Sequence, residues 1–133
     1  MRLLPLVTFL AATALADRRD DIMDRFASLT AALSADNAAA AIKVFDPAMP
    51  GYAELRTQIY ALLDRASVAS SIDLLSETGD DTQASVELDW NLEIKGKEPG
   101  GSVARRRETV RCRLERQKKE WRIVSMAPAD FLR

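Results

Sequence analysis

Residues 84–94 read Ala84-Ser85-Val86-Glu87-Leu88-Asp89-Trp90-Asn91-Leu92-Glu93-Ile94, with apolar and polar side chains alternating at every step. A strict period of two marks a strand with one face buried and the other in water. Ala84, Val86, Leu88, Trp90, Leu92 and Ile94 therefore share a core face. Ser85, Glu87, Asp89, Asn91 and Glu93 share the solvent face.

Downstream, the glycine- and proline-bearing loop Gly96–Ser102 leads into a second alternating run, Arg105–Gln117, in which Val110, Cys112 and Leu114 share the core parity. Lys118-Lys119 turns the chain into a further strand, Glu120–Met126. Upstream, Val68–Glu77 predicts the first strand, closed by the turn Thr78-Gly79-Asp80-Asp81. Its facing stays open, because Asp73 shares a face with Leu75 and opposes Ile72 and Leu74. Centring the Gly96–Ser102 loop on Gly100 sets Glu93 against Arg107, Asp89 against Arg111 and Glu87 against Arg113. The same register sets Trp90 against Val110, Leu88 against Cys112, Val86 against Leu114, Leu92 against Glu108 and Ile94 against Arg106. A slip of one residue would put apolar groups opposite charges throughout.

The period changes to that of a helix before residue 67. Ile22, Phe26, Leu29 and Leu33 form one stripe of a helix over Asp20–Ser34. Asp36 or Asn37 caps a second, alanine-rich helix running through Phe45, which Pro47 stops. After the turn Met49-Pro50-Gly51, a third helix carries Tyr52, Leu55, Ile59, Leu62 and Leu63 on one face. Three helices followed by four antiparallel strands predict an α+β domain, with the helices packed on the apolar face of the sheet.

That order, with the segment Asp36–Leu63 and the final strand Lys119-Glu120-Trp121-Arg122-Ile123-Val124, resembles the nuclear transport factor 2-like superfamily. The resemblance implies a cone, cystatin-like in outline, in which a curved four-stranded antiparallel sheet wraps around helices. It departs from many members at Asp46–Gly51, which is too short for a hairpin between the second and third helices. Members include ketosteroid isomerases, polyketide cyclases, dehydratases and non-enzymatic binding or dimerisation domains, so fold does not select function.

Met1–Ala16 reads as a secretory signal peptide, with Arg2, the apolar run Leu3–Leu10 and the small-x-small site Ala14-Leu15-Ala16. Cleavage leaves 117 residues, 17–133, enough for one domain with one core. The expected address is secreted, most simply a bacterial periplasm. Asp17 follows the cleavage site, so the acceptor for a lipid anchor is missing, and no second apolar run approaches a membrane span. The full chain carries 19 basic and 20 acidic residues, a balance that argues against a nucleic-acid partner despite the run Arg105-Arg106-Arg107.

Histidine is absent, which excludes Ser–His and Cys–His catalysis and any His-ligated metal. No metal site and no cofactor are expected. Cys112 is the one cysteine; it shares parity with Val110 and Leu114, so burial is expected in place of reactivity. Asp46, before Pro47, reads as a turn-former. Acid–base chemistry needs an inward carboxylate, and Glu87, Asp89 and Glu93 all lie opposite the Trp90 face.

Two functional classes survive. One is a non-catalytic periplasmic module that binds an apolar small molecule in its cone or pairs through its sheet. The other is a small isomerase, cyclase or dehydratase using Asp73 or Glu108 with Tyr60. For the first, polarity enters the inward face at Arg106 and Glu108, above walls of Trp90, Leu88 and Val110, and Tyr60 could join them from the third helix. The competing arrangement is a filled core past which both charges reach water, and 117 residues leave little core to spare around a void. The charged outer face of the sheet predicts a monomer or a weak, polar homodimer.

Overall fold

A computed structural model describes the backbone from Leu3 to Arg133 and the side chains from Asp17 onward. The expected signal peptide, Met1–Ala16, lies outside the residues described with side chains. In chain order the elements are α1 (Leu3–Ser34), α2 (Ala38–Ile42), α3 (Tyr52–Arg65), β1 (Ala66–Gly79), β2 (Gln83–Gly96), β3 (Val103–Gln117) and β4 (Glu120–Ala127). The strands form one antiparallel meander, β1-β2-β3-β4, with the helices against its apolar face. The helix-plus-sheet plan and the alternation of β2 are as the sequence predicts: Ala84, Val86, Leu88, Trp90, Leu92 and Ile94 are all buried.

The helix stripes also hold. Ile22, Phe26, Leu29 and Leu33 on α1 and Leu55, Ile59, Leu62 and Leu63 on α3 are buried together against the sheet. The second helix is shorter than predicted, ending at Ile42 instead of Phe45. The cause lies in β4, whose outer edge needs partners for its backbone. Ile123 donates to the Val44 carbonyl at 2.9 Å, and its own carbonyl accepts from Asp46 at 2.8 Å. Residues 44–46 thus leave the helix to cover an exposed strand edge. Asp46 forms the expected turn, accepting from the Ala48 amide at 2.9 Å and from Gln117.

The β2–β3 register differs from the expectation by two residues. Trp90 pairs with Glu108, Leu88 with Val110, Val86 with Cys112 and Glu93 with Arg105. The pairings Leu88–Cys112, Trp90–Val110 and Val86–Leu114 are therefore corrected, as are Glu93–Arg107, Asp89–Arg111 and Glu87–Arg113, and likewise Glu108 opposite Leu92 and Arg106 opposite Ile94. The loop decides it. Gly101 donates to the Glu98 carbonyl across Pro99-Gly100, and Gly100 has φ +73°, the geometry of a proline-glycine type II turn. A side chain at Gly101 would overlap the Gly96 carbonyl, so this extra glycine packs inside the loop and its centre moves to Pro99. A two-residue shift leaves every side chain on its predicted face.

β1 carries a bulge. Pairing runs evenly from Ala66↔Gly96 to Leu74↔Leu88, then resumes at Ser76↔Glu87 with Leu75 left over. Asp73, before the bulge, is exposed on the outer face opposite Asp89, whereas the extra residue swings Glu77, beyond it, to the inner face opposite Val86.

Candidate functional site

Of the two arrangements the sequence left open, a cavity with a polar mouth and a filled core, the inner surface of the sheet shows the filled core around Trp90. Trp90 is completely buried, and its indole Nε1 donates to Ser70 Oγ at 2.7 Å. Against it lies the ring of Phe131, from the segment after β4, with centroids 5.2 Å apart and planes tilted by 52°. Leu88, Val110 and Leu132 are buried around this pair. Tyr60 does not join them. It is 43% exposed on the outside of α3, where the Arg56 guanidinium lies 5.1 Å from its ring centroid. The five main depressions of the described surface are lined by neither Trp90 nor Tyr60.

Polarity gathers at the mouth. Arg65 from the end of α3, Arg106 and Glu108 from β3, and Asp130, Phe131 and Arg133 line an open depression of about 510 Å³. Arg106 is half-buried and donates through Nη1 to the Phe131 carbonyl at 2.9 Å. Arg106 and Glu108 thus stand together at the rim, as the cost of burying charge demands. Asp73, on the outer face, cannot serve as an inward carboxylate. Sequence reasoning missed Arg65, Asp130, Phe131 and Arg133. The available signal was the apolar pair Phe131-Leu132 beyond the last strand, which a short polar segment would otherwise expose.

Glu77 is the one charged side chain buried among the described residues. Arg18 clamps it, with Nε 2.6 Å from Oε2 and Nη2 3.0 Å from Oε1, and Arg19 Nε adds a contact at 3.4 Å. The Arg18 hydrogen bonds hold the Glu77 carboxyl below its ordinary range, and Glu77 raises the Arg18 guanidinium in turn. Burial pushes the Cys112 thiol up to about 12, so it is inert at neutral pH. No cluster of three metal-ligating side chains occurs among the described residues.

The outer face carries the predicted charge pattern with the corrected partners. Arg107 forms a two-pronged contact with Asp89, at 3.0 and 2.8 Å, and holds that carboxyl below its ordinary range. Arg111 meets Glu87 at 3.3 Å, and Arg105 meets Glu93 at 3.4 Å. Two shallow troughs, of about 530 and 450 Å³, run between these long side chains.

No family model matches the sequence, and no curated protein matches it. Solved structures do. A conserved protein from Planctomyces limnophilus superposes with a TM-score of 0.75 at 12% identity, covering 84% of this chain and 94% of that one. A nuclear transport factor 2-like superfamily protein from Salmonella enterica gives 0.69 at 13% identity, covering 85% and 90%. The fold is that of the nuclear transport factor 2-like superfamily. A candidate scytalone dehydratase from Novosphingobium aromaticivorans shares this fold at 0.74 and 9% identity, covering 87% and 85%. Identities this low carry the fold and leave chemistry to the residues. No described helix is long and apolar enough to cross a membrane.

Proposed function

We propose that this chain is an exported, non-catalytic binding module that engages a small molecule at the mouth of its cone. One observation supports binding over catalysis: Glu77, the one buried charged group among the described residues, has both carboxylate oxygens engaged by arginines. An isomerase, cyclase or dehydratase needs a free carboxylate facing an apolar chamber and a second polar group beside it. Asp73 faces outward, and Glu108 lies at an open rim that Tyr60 does not share. The ligand would rest on Arg106 and Glu108, above the layer of Trp90, Leu88 and Val110. Export follows from the pattern of residues 1–16, and the alternating charges of the outer face favour a monomer or a weak polar homodimer.

Native mass spectrometry of the exported protein, exposed to a small-molecule extract of its own cells, tests this function. The expected result is a chain beginning at Asp17 that releases an adduct of unchanged mass. Recovery of a chemically altered molecule would favour the enzyme, and the absence of any adduct would leave an interaction module.

A further inference from the structure

The segment 128–133 is attached differently from the rest of the chain. Among the described residues its backbone hydrogen bonds are internal: Phe131 donates to the Pro128 carbonyl at 3.4 Å, and Arg133 to the Asp130 carbonyl at 3.0 Å. What fixes it to the sheet is the burial of Phe131 and Leu132, together with the one contact from Arg106. Open surface flanks it on both sides. The mouth depression carries Arg65, Arg106 and Arg133 against Glu108 and Asp130. A second hollow, of about 180 Å³, is lined by Met49, Leu55, Met126 and Gln58, and Gln58 Oε1 is buried without a hydrogen-bond partner.

The contacts of Phe131 have the outline of a ligand. Its ring lies on Trp90, and its carbonyl oxygen takes a guanidinium N–H. A guanidinium binds a carboxylate more strongly than a neutral carbonyl, because both prongs of the fork then meet charged acceptors. We propose that Phe131 is the displaceable occupant of a small-molecule site, and that an aromatic carboxylate replaces it, ring on Trp90 and carboxylate on Arg106. The proposal rests on the binding function above and adds its ligand class and its gate. Its departure costs the burial of Phe131 and Leu132 and the hydrogen bond from Arg106 but breaks no strand pairing, because the ladder ends at Ala127.

Phenylacetate and the neutral 2-phenylethanol, titrated calorimetrically into the full chain and its variants, test it. Phenylacetate should bind the wild type weakly and Phe131→Leu about tenfold more tightly, because the competing ring is gone and the open fraction rises. Arg106→Gln should reduce the preference for acid over alcohol about tenfold. In the wild type, saturating phenylacetate should speed hydrogen exchange at the Phe131 and Leu132 amides. Binding that leaves those amides unchanged overturns the gate. Equal affinity for acid and alcohol overturns the ligand class and leaves the binding function standing. If neither probe binds the wild type or a folded Phe131→Leu, while other adducts persist in native mass spectrometry, this proposal alone fails.

Discussion

Two sets of ion pairs hold acid to arginine in this protein, and they differ in nearly everything but chemistry. On the outer face Arg111 and Glu87 are 73% and 42% exposed, whereas Arg18 and Glu77 are 11% and 1% exposed. The outer pairs are screened by water and salt, so their worth is small and their pattern marks a face. The inner pair sits where an unpaired charge is costly, so each member makes the other necessary. The inner pair also joins distant parts of the chain, tying α1 to the bulged end of β1, while the outer pairs repeat what the β2–β3 ladder already fixes. Burial, more than distance, separates them.

Removing one member of the inner pair should give the largest effect. Glu77→Ala leaves Arg18 unpaired and should cost about 3–5 kcal/mol in urea unfolding. The double variant Arg18→Met/Glu77→Leu should recover most of that loss, since an apolar pair carries no desolvation cost. A double variant as unstable as the single would remove the contrast between the two regions.

Next comes the loop that sets the outer register. Gly101→Ala forces a methyl group onto the Gly96 carbonyl and should cost about 1–3 kcal/mol, with loosened exchange at the loop ends of β2 and β3. A neutral outcome would mean that the loop yields and that the charges hold the register.

Acid sharpens the comparison further. The Glu77 carboxyl is held below its ordinary value of 4.5, so its stabilisation is fully present above that pH and is lost as pH falls through the lowered folded value. Glu77→Gln should flatten this part of the acid limb. Asp89, lowered chiefly by its hydrogen bonds from Arg107, contributes in the same direction but from an exposed site. Its removal should change the limb less.

The smallest effect belongs to the outer ladder. A double-mutant cycle on Glu87 and Arg111 should return a coupling of about 0.2–1 kcal/mol that fades in molar salt. A salt-resistant coupling of inner-pair size would break the distinction.

The missed features share one physical origin. Binary alternation is blind to any displacement by two residues, so β2 and β3 showed which faces meet without showing that Trp90 opposes Glu108. The bulge at Leu75 interrupts the period at a single position, and beyond it Glu77 looks in the sequence like any strand-end carboxylate. Arg106 and Glu108 were legible at the rim because charge entering an apolar face is itself a signal. Phe131 was not, because a lone aromatic residue past the last strand has no period to betray its destination.

By itself the sequence determined the fold class, the two faces of β2, the helix stripes and the inertness of Cys112. Each depends on local period or on the presence of a residue type, and neither needs a distant partner. Only the tertiary structure decided the register, the inward turn of Glu77, the outward placement of Tyr60 and the closure of the cone by Phe131. These depend on loop geometry, on one unpaired residue and on which of several apolar side chains reaches a given space first. Such choices arise from packing between residues far apart in the chain, where periodicity carries no information.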